Sequence, residues 1–177
     1  MKRDKIAEAL GGWRCVTCGN ADRDVLTFDH TNGGGEAERK KMGGQFPMIS
    51  HYYMHLEDAR RNLRVLCANC NWRQNVIARS NKRRSDSVSL RRTMWRILID
   101  RLGGPRCSIC GEQDLRVLTL DHIQGGGTAD RKLHGGYPEM IRYYFTHFDE
   151  ASQNLSVLCR NCNWKKHRTH AGKRYFA

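Results

Sequence analysis

The chain carries the same pattern of cysteine, aspartate, histidine and glycine residues twice, 92 positions apart, with no insertion or deletion between the copies. Cys15-x-x-Cys18, Asp29-His30, Gly33-Gly34-Gly35 and Cys67-x-x-Cys70-Asn71-Trp72 return as Cys107-x-x-Cys110, Asp121-His122, Gly125-Gly126-Gly127 and Cys159-x-x-Cys162-Asn163-Trp164. Aligning residues 10–72 with 102–164 gives 35 identities in 63 pairs. Solenoid units repeat every ~20–50 residues, so a period this long marks a duplicated domain. The repeat predicts an N-terminal domain over 1–78, a basic linker and helix start over 79–92, and a C-terminal domain over 93–177.

Domains this small bury little apolar surface and often need a metal or disulfides. All eight cysteines fall in four C-x-x-C pairs. Within each repeat, 48 residues separate the two pairs, which can converge on one tetrahedral tetrathiolate site suited to zinc. The expected ligands are Cys15, Cys18, Cys67 and Cys70 in the first repeat, and Cys107, Cys110, Cys159 and Cys162 in the second. Four thiolates close the coordination shell, so these two zincs are read as structural. Disulfide or redox pairing is the alternative. Met1–Trp13 is charged throughout and lacks the apolar stretch of a signal peptide, and no run approaches the ~18 apolar residues of a membrane span. A reducing, cytoplasmic setting is therefore expected, which favours thiolate–metal chemistry.

The net charge is +13, with 31 Lys and Arg against 18 Asp and Glu. Both halves share it: 18 against 10 over residues 1–92, and 13 against 8 over 93–177. A polyanionic partner, nucleic acid above all, fits that balance. Helices are expected over 3–10, 90–102, 46–62 and the 46–62 counterpart 138–154. VLTFDH (25–30) and VLTLDH (117–122) read as strands ending in the Asp-His pair, followed by flexible glycine-rich loops. Short second strands follow at 63–66 and 155–158, leading into closing helices. His55 and His147 are read as packing or hydrogen bonding in the small cores. Trp72 and Trp164 are read as covering the zinc knuckle or packing on the helix.

An Asp-His pair alone is a weak signal. Here it closes a strand, precedes a Gly-rich and Arg-containing stretch (Gly33–Arg39, Gly125–Arg131), and is followed by Asn62-Leu63 and Cys67-x-x-Cys70-Asn71. That order, DH…NL…LCxxCN, resembles the HNH nucleases, above all those of phage type. The resemblance covers about residues 10–76 and 102–168. It implies an α+β chain of two zinc-stapled ββα-metal domains forming a monomeric pseudo-dimer. It also implies cleavage of double-stranded DNA, one strand per site, as in a homing-type or restriction-like enzyme. His30 and His122 would be general bases. Asp29 with Asn71, and Asp121 with Asn163, would hold a divalent cation, and Asn62 and Asn154 would brace the loop that orients the histidine. Asparagine stands in place of the family's last histidine; its hard amide oxygen favours Mg2+ or Mn2+. One turn further on, Asn75 and His167 differ between repeats, which argues against a shared ligand role, although His167 could serve as one.

Hydrolysis of a phosphodiester needs a base for water, a cation on the phosphate oxygens and positive side chains for the developing charge. Arg39, Lys40, Arg131 and Lys132 are the candidate phosphate clamps. Arg60, Arg61 and Arg64 are replaced by Ser152, Gln153 and Ser156 in the second repeat. If they reach DNA, the first repeat holds phosphate more strongly. The competing readings are a tandem zinc module that binds nucleic acid without cutting it, a nuclease of structured RNA or single strands, and a nicking or structure-specific nuclease with one working site.

Overall fold

Alternation of apolar and polar residues in LTFDH and LRVLC builds the sheet of the first repeat, and LTLDH with LSVLC builds that of the second. In the computed structural model, which describes residues 1–80 and 86–170 and side chains for 1–75 and 90–168, the chain divides into two compact units, Met1–Asn71 and Trp72–Ala177. Each is mixed α+β. The centre of the expected linker, 81–85, lies outside the described residues.

The first repeat runs α1 (Lys2–Ala9), β1 (Leu26–His30), α2 (Gly35–Lys41), α3 (Gln45–Met54), α4 (Leu56–Asn62), β2 (Leu63–Cys67) and α5 (Ala68–Ser80). The second repeats the order as α6 (Asp86–Arg101), β3 (Leu118–His122), α7 (Gly127–Leu133), α8 (Tyr137–Thr146), α9 (Phe148–Asn154), β4 (Leu155–Cys159) and α10 (Arg160–His170). β1 pairs antiparallel with β2, placing Asp29 opposite Arg64 and His30 opposite Leu63. β3 and β4 pair in the same register, with Asp121 opposite Ser156 and His122 opposite Leu155.

The cores are small. In the first unit, Val25, Leu26, Val65 and Leu66 cluster with Cys15, Cys67 and Cys70, while Ile6, Tyr52, Ala59 and Leu63 form a second group. The second unit gathers Leu98, Ile99, Val117, Leu120, Ile141 and Leu158 into one cluster that includes Cys107 and Cys159. Most of the cysteines thus sit in or against the packing itself, while Cys18 and Cys110 are exposed.

Two local expectations are corrected. The glycine-rich stretches are not loops throughout, because helices begin at Gly35 and Gly127. Gly34 and Gly126, at φ 80° and 81°, cap them in a left-handed conformation that side chains disfavour. The helix expected over 46–62 is two helices broken at His55, and its counterpart breaks at His147. At the break, the His55 N–H donates to the His51 carbonyl, while its own carbonyl accepts from Asp58 and Ala59 to start α4. These histidines are exposed at the bend rather than packed in a core: His55 stacks on His51 and His147 on Tyr143, at 4.7 and 4.2 Å between ring centroids.

Candidate metal centres and the aspartate–histidine site

The cysteine knuckle is a backbone construction. After Cys15 the chain turns so that the Gly19 N–H donates to the Cys15 carbonyl and the Cys15 N–H to the Asn20 carbonyl. The first residues of α5 and α10 bring the other pair, with the Cys70 and Cys162 N–H groups pointing at Cys67 and Cys159 sulfur. In each repeat the four Sγ atoms lie within 4.8 Å of one another. Cys18 and Cys67 sulfurs are 3.7 Å apart, and those of Cys110 and Cys159 are 3.6 Å apart. Zinc–sulfur bonds of about 2.3 Å in a tetrahedron set sulfurs about 3.8 Å apart, whereas a disulfide needs about 2.0 Å. All eight cysteines are free. The two groups can hold two zinc ions. Burial opposes the Cys15 and Cys107 thiolates, yet donated N–H bonds outweigh it and bring both down to about 7. Burial beside the other thiols pushes Cys70 and Cys162 up.

Next to each knuckle, the strand end and the start of the closing helix bring the aspartate, histidine and asparagine together. Asn71 Nδ2 donates to Asp29 Oδ1 at 3.4 Å, and Asn163 Nδ2 to Asp121 Oδ1 at 2.7 Å. Rotating either amide by half a turn presents its oxygen to the same point, giving a carboxylate–amide oxygen pair that suits a hard divalent cation. Each aspartate already faces a positive side chain, but from a different element. Arg64, directly across the sheet, grips Asp29 Oδ2 through Nε and Nη2 at 2.9 and 2.7 Å. Serine occupies that register position in the second repeat, and Lys166 of α10 pairs with Asp121 while donating to the His122 carbonyl at 2.6 Å. His167 adds a 3.4 Å approach to Asp121.

Sequence reading missed the partner of the histidine. His30 Nε2 pairs with Glu38 of α2, and His122 Nε2 meets Asp130 of α7 at 2.7 Å. Tyr52 donates its hydroxyl to Glu38 at 2.9 Å. Burial, and then the adjacent carboxylate, push the Tyr52 phenol up and Tyr144 up to about 12, so both stay protonated as donors. A carboxylate on Nε2 fixes the N–H there and leaves Nδ1 as the basic nitrogen. Nδ1 of His30 lies against Gly35, where an added Cβ would come within 2.3 Å; for His122 and Gly127 the figure is 2.7 Å. The third glycine is required because the ring occupies the space of a side chain. Positions 38 and 130 differ in identity, so an identity comparison passes over them; the shared acidic charge eight residues after the histidine was the available signal.

The remaining predicted residues are placed as follows. The Asn62 and Asn154 carbonyls accept from the Thr31 and Ile123 N–H at 2.9 and 2.8 Å, tying down the chain just past each histidine. Arg39 and Lys40 are exposed on α2, as is Lys132 on α7; Arg131 is exposed but bonded to the Gly127 carbonyl. Arg60 and Arg61 are paired with Glu57 and Asp58, and Arg64 with Asp29. Trp164 is exposed. No protein-family model, curated protein or solved structure matches the chain.

The histidine–carboxylate pair gives a direct test. Glu38→Gln and Asp130→Asn are expected to release Nε2–H, so that 15N-resolved NMR shows His30 or His122 moving from one neutral tautomer to a mixture. Unchanged tautomer signals would remove the positioning role.

Proposed function

We propose that the chain is a metal-dependent DNA endonuclease of the HNH type, with one complete ββα-metal site in each repeat, cutting one strand per site. One observation carries the reading. In each unit separately, an imidazole held at Nε2 by a carboxylate, an aspartate hydrogen-bonded to an asparagine side-chain amide and a four-thiol cluster meet where the strand and closing helix join. Nucleic-acid binding alone requires neither the imidazole nor its carboxylate.

In this mechanism, His30 or His122 takes a proton from water at Nδ1 as the water oxygen attacks phosphorus and one ester P–O bond breaks, the leaving alkoxide taking a proton from solvent. Glu38 or Asp130 stabilises the imidazolium that forms. The Asn62 and Asn154 carbonyls hold the chain after the histidine in place. A divalent cation at Asp29 and Asn71, or at Asp121 and Asn163, would neutralise the phosphate and the leaving oxygen. Arg39, Lys40, Arg131 and Lys132 hold the flanking phosphates. Among the described residues no helix is long and apolar enough to cross a membrane.

Cleavage of supercoiled plasmid should require added magnesium or manganese beyond the zinc. Full activity with enough chelator to sequester magnesium, and zinc still bound by elemental analysis, would count against the reading.

A further inference from the structure

In the second unit, His122 sits on the wall of an open cleft of about 1360 Å³, with Gly127 beside it and Asp121 and Asn163 alongside. A separate recess of about 310 Å³ on the other side of the ring holds Asp130 and Tyr144. The carboxylate that steadies Nε2 is therefore kept apart from the large cleft.

The cleft is basic: Arg116 is paired with Asp114 and Arg131 bonds to the Gly127 carbonyl, but other cations on its wall make no ion pair among the described residues. Arg91, Arg92 and Arg96 reach it from α6 and Lys132 from α7, and none of these makes an ion pair among the described residues. Arg160 lies with its guanidinium over the Trp72 ring, 3.8 Å from the centroid, and its Nε is buried without a hydrogen-bond partner. Burial lowers its pKa from the ordinary value, as expected of a cation held without a neighbouring counter-charge. The repeat makes the contrast sharp: Arg96 stands where the first repeat has Asp4, and Arg160 where it has Ala68. The extra arginines of the first repeat, Arg60, Arg61 and Arg64, are all neutralised by carboxylates.

We infer that the second unit is the principal phosphate-binding half, and that the backbone of duplex DNA tracks along α6 into this cleft and past His122. This rests on the nuclease reading for the identity of the polyanion and reverses the weighting suggested by the arginines of the first repeat. Uncompensated cations release counterions when they meet phosphate, and compensated ones must first break an ion pair. Arg160, desolvated and stacked, offers its edge to a phosphate oxygen at the cleft wall.

The test is fluorescence anisotropy with a labelled duplex across a salt series, using full-length protein carrying His30→Ala and His122→Ala so that no cut occurs. Adding Arg92→Ala and Arg96→Ala is expected to weaken binding by about tenfold or more and to reduce the log–log salt slope by about 1.8, for two phosphate contacts. Adding Arg60→Ala and Arg61→Ala instead should leave affinity within about twofold. Both α6 positions are exposed, so folding is not at stake, and Arg92→Lys with Arg96→Lys should retain most of the salt slope. Binding unchanged on loss of the α6 pair, or an equal loss from the first-repeat pair, overturns the proposal. A chain that binds through α6 and never cuts would sink the nuclease reading and leave this one standing.

Discussion

His30→Ala is expected to turn a cut that linearises plasmid into a nick on one strand, and His122→Ala into a nick on the other. The double variant should do neither. Removing a general base typically costs about 10²–10⁴ in rate, a gap that separates nicked from linear product on a gel. The rest of each site survives the substitution, since Asp29 keeps its contacts to Arg64 and Asn71, and Asp121 keeps Asn163 and Lys166. The loss should therefore appear as rate with little loss of DNA affinity. Strand-specific end labels identify which site serves which strand. A single variant that linearises plasmid at the parent rate refutes the assignment of one site per strand. If His30→Ala stops both cuts while His122→Ala does nothing, or the reverse, one repeat is only a binding platform.

Zinc removal should produce the largest change in stability. Three of the four thiols of each cluster pack with the core around Leu66 or Leu158, so that packing loses its tie when the ion leaves. Structural zinc supplies about 10–16 kcal/mol of apparent binding energy at neutral pH, more than the total stability of a small domain. Purified protein is expected to hold two zincs per chain. Cys67→Ser with Cys70→Ser should reduce that to one and erase the dispersed amide NMR signals of the first unit, leaving those around Leu158 and Ile141 in place. Retention of both zincs, or a chelated chain with unchanged signals, would contradict the assignment.

What the sequence made legible follows from how local each signal is. The two-residue spacing within each cysteine pair is dictated by one knuckle turn, and the strands by a few alternating residues ending at Asp29-His30 and Asp121-His122, so both could be read directly. The start of α2 at Gly35 was hidden because glycine is a poor helix former in general, and only the imidazole lying against it explains the choice. The bends at His55 and His147 were hidden because a continuous helical pattern crosses them; the backbone bonds that end one helix and start the next leave no compositional mark. Ion pairing was least legible. Arg61 and Asp58 are close in sequence and could have been guessed, but Arg64 finds Asp29 only through the strand register, and Arg160 finds Trp72 only through the fold.

The counter-charges of the two aspartates behave as a single displaced part. Read column by column, Arg64 against Ser156 and Gln74 against Lys166 are two unrelated differences between the halves. In three dimensions they are one exchange: the cation stands on the sheet in one repeat and on the helix in the other, while the carboxylate it serves keeps its place. The divergence of the repeats is thus coupled at this place, and the halves are not interchangeable residue by residue. A graft between them that carries the strand but not the helix leaves a part-buried aspartate with two cations or with none, so the transferable unit is the strand together with its closing helix.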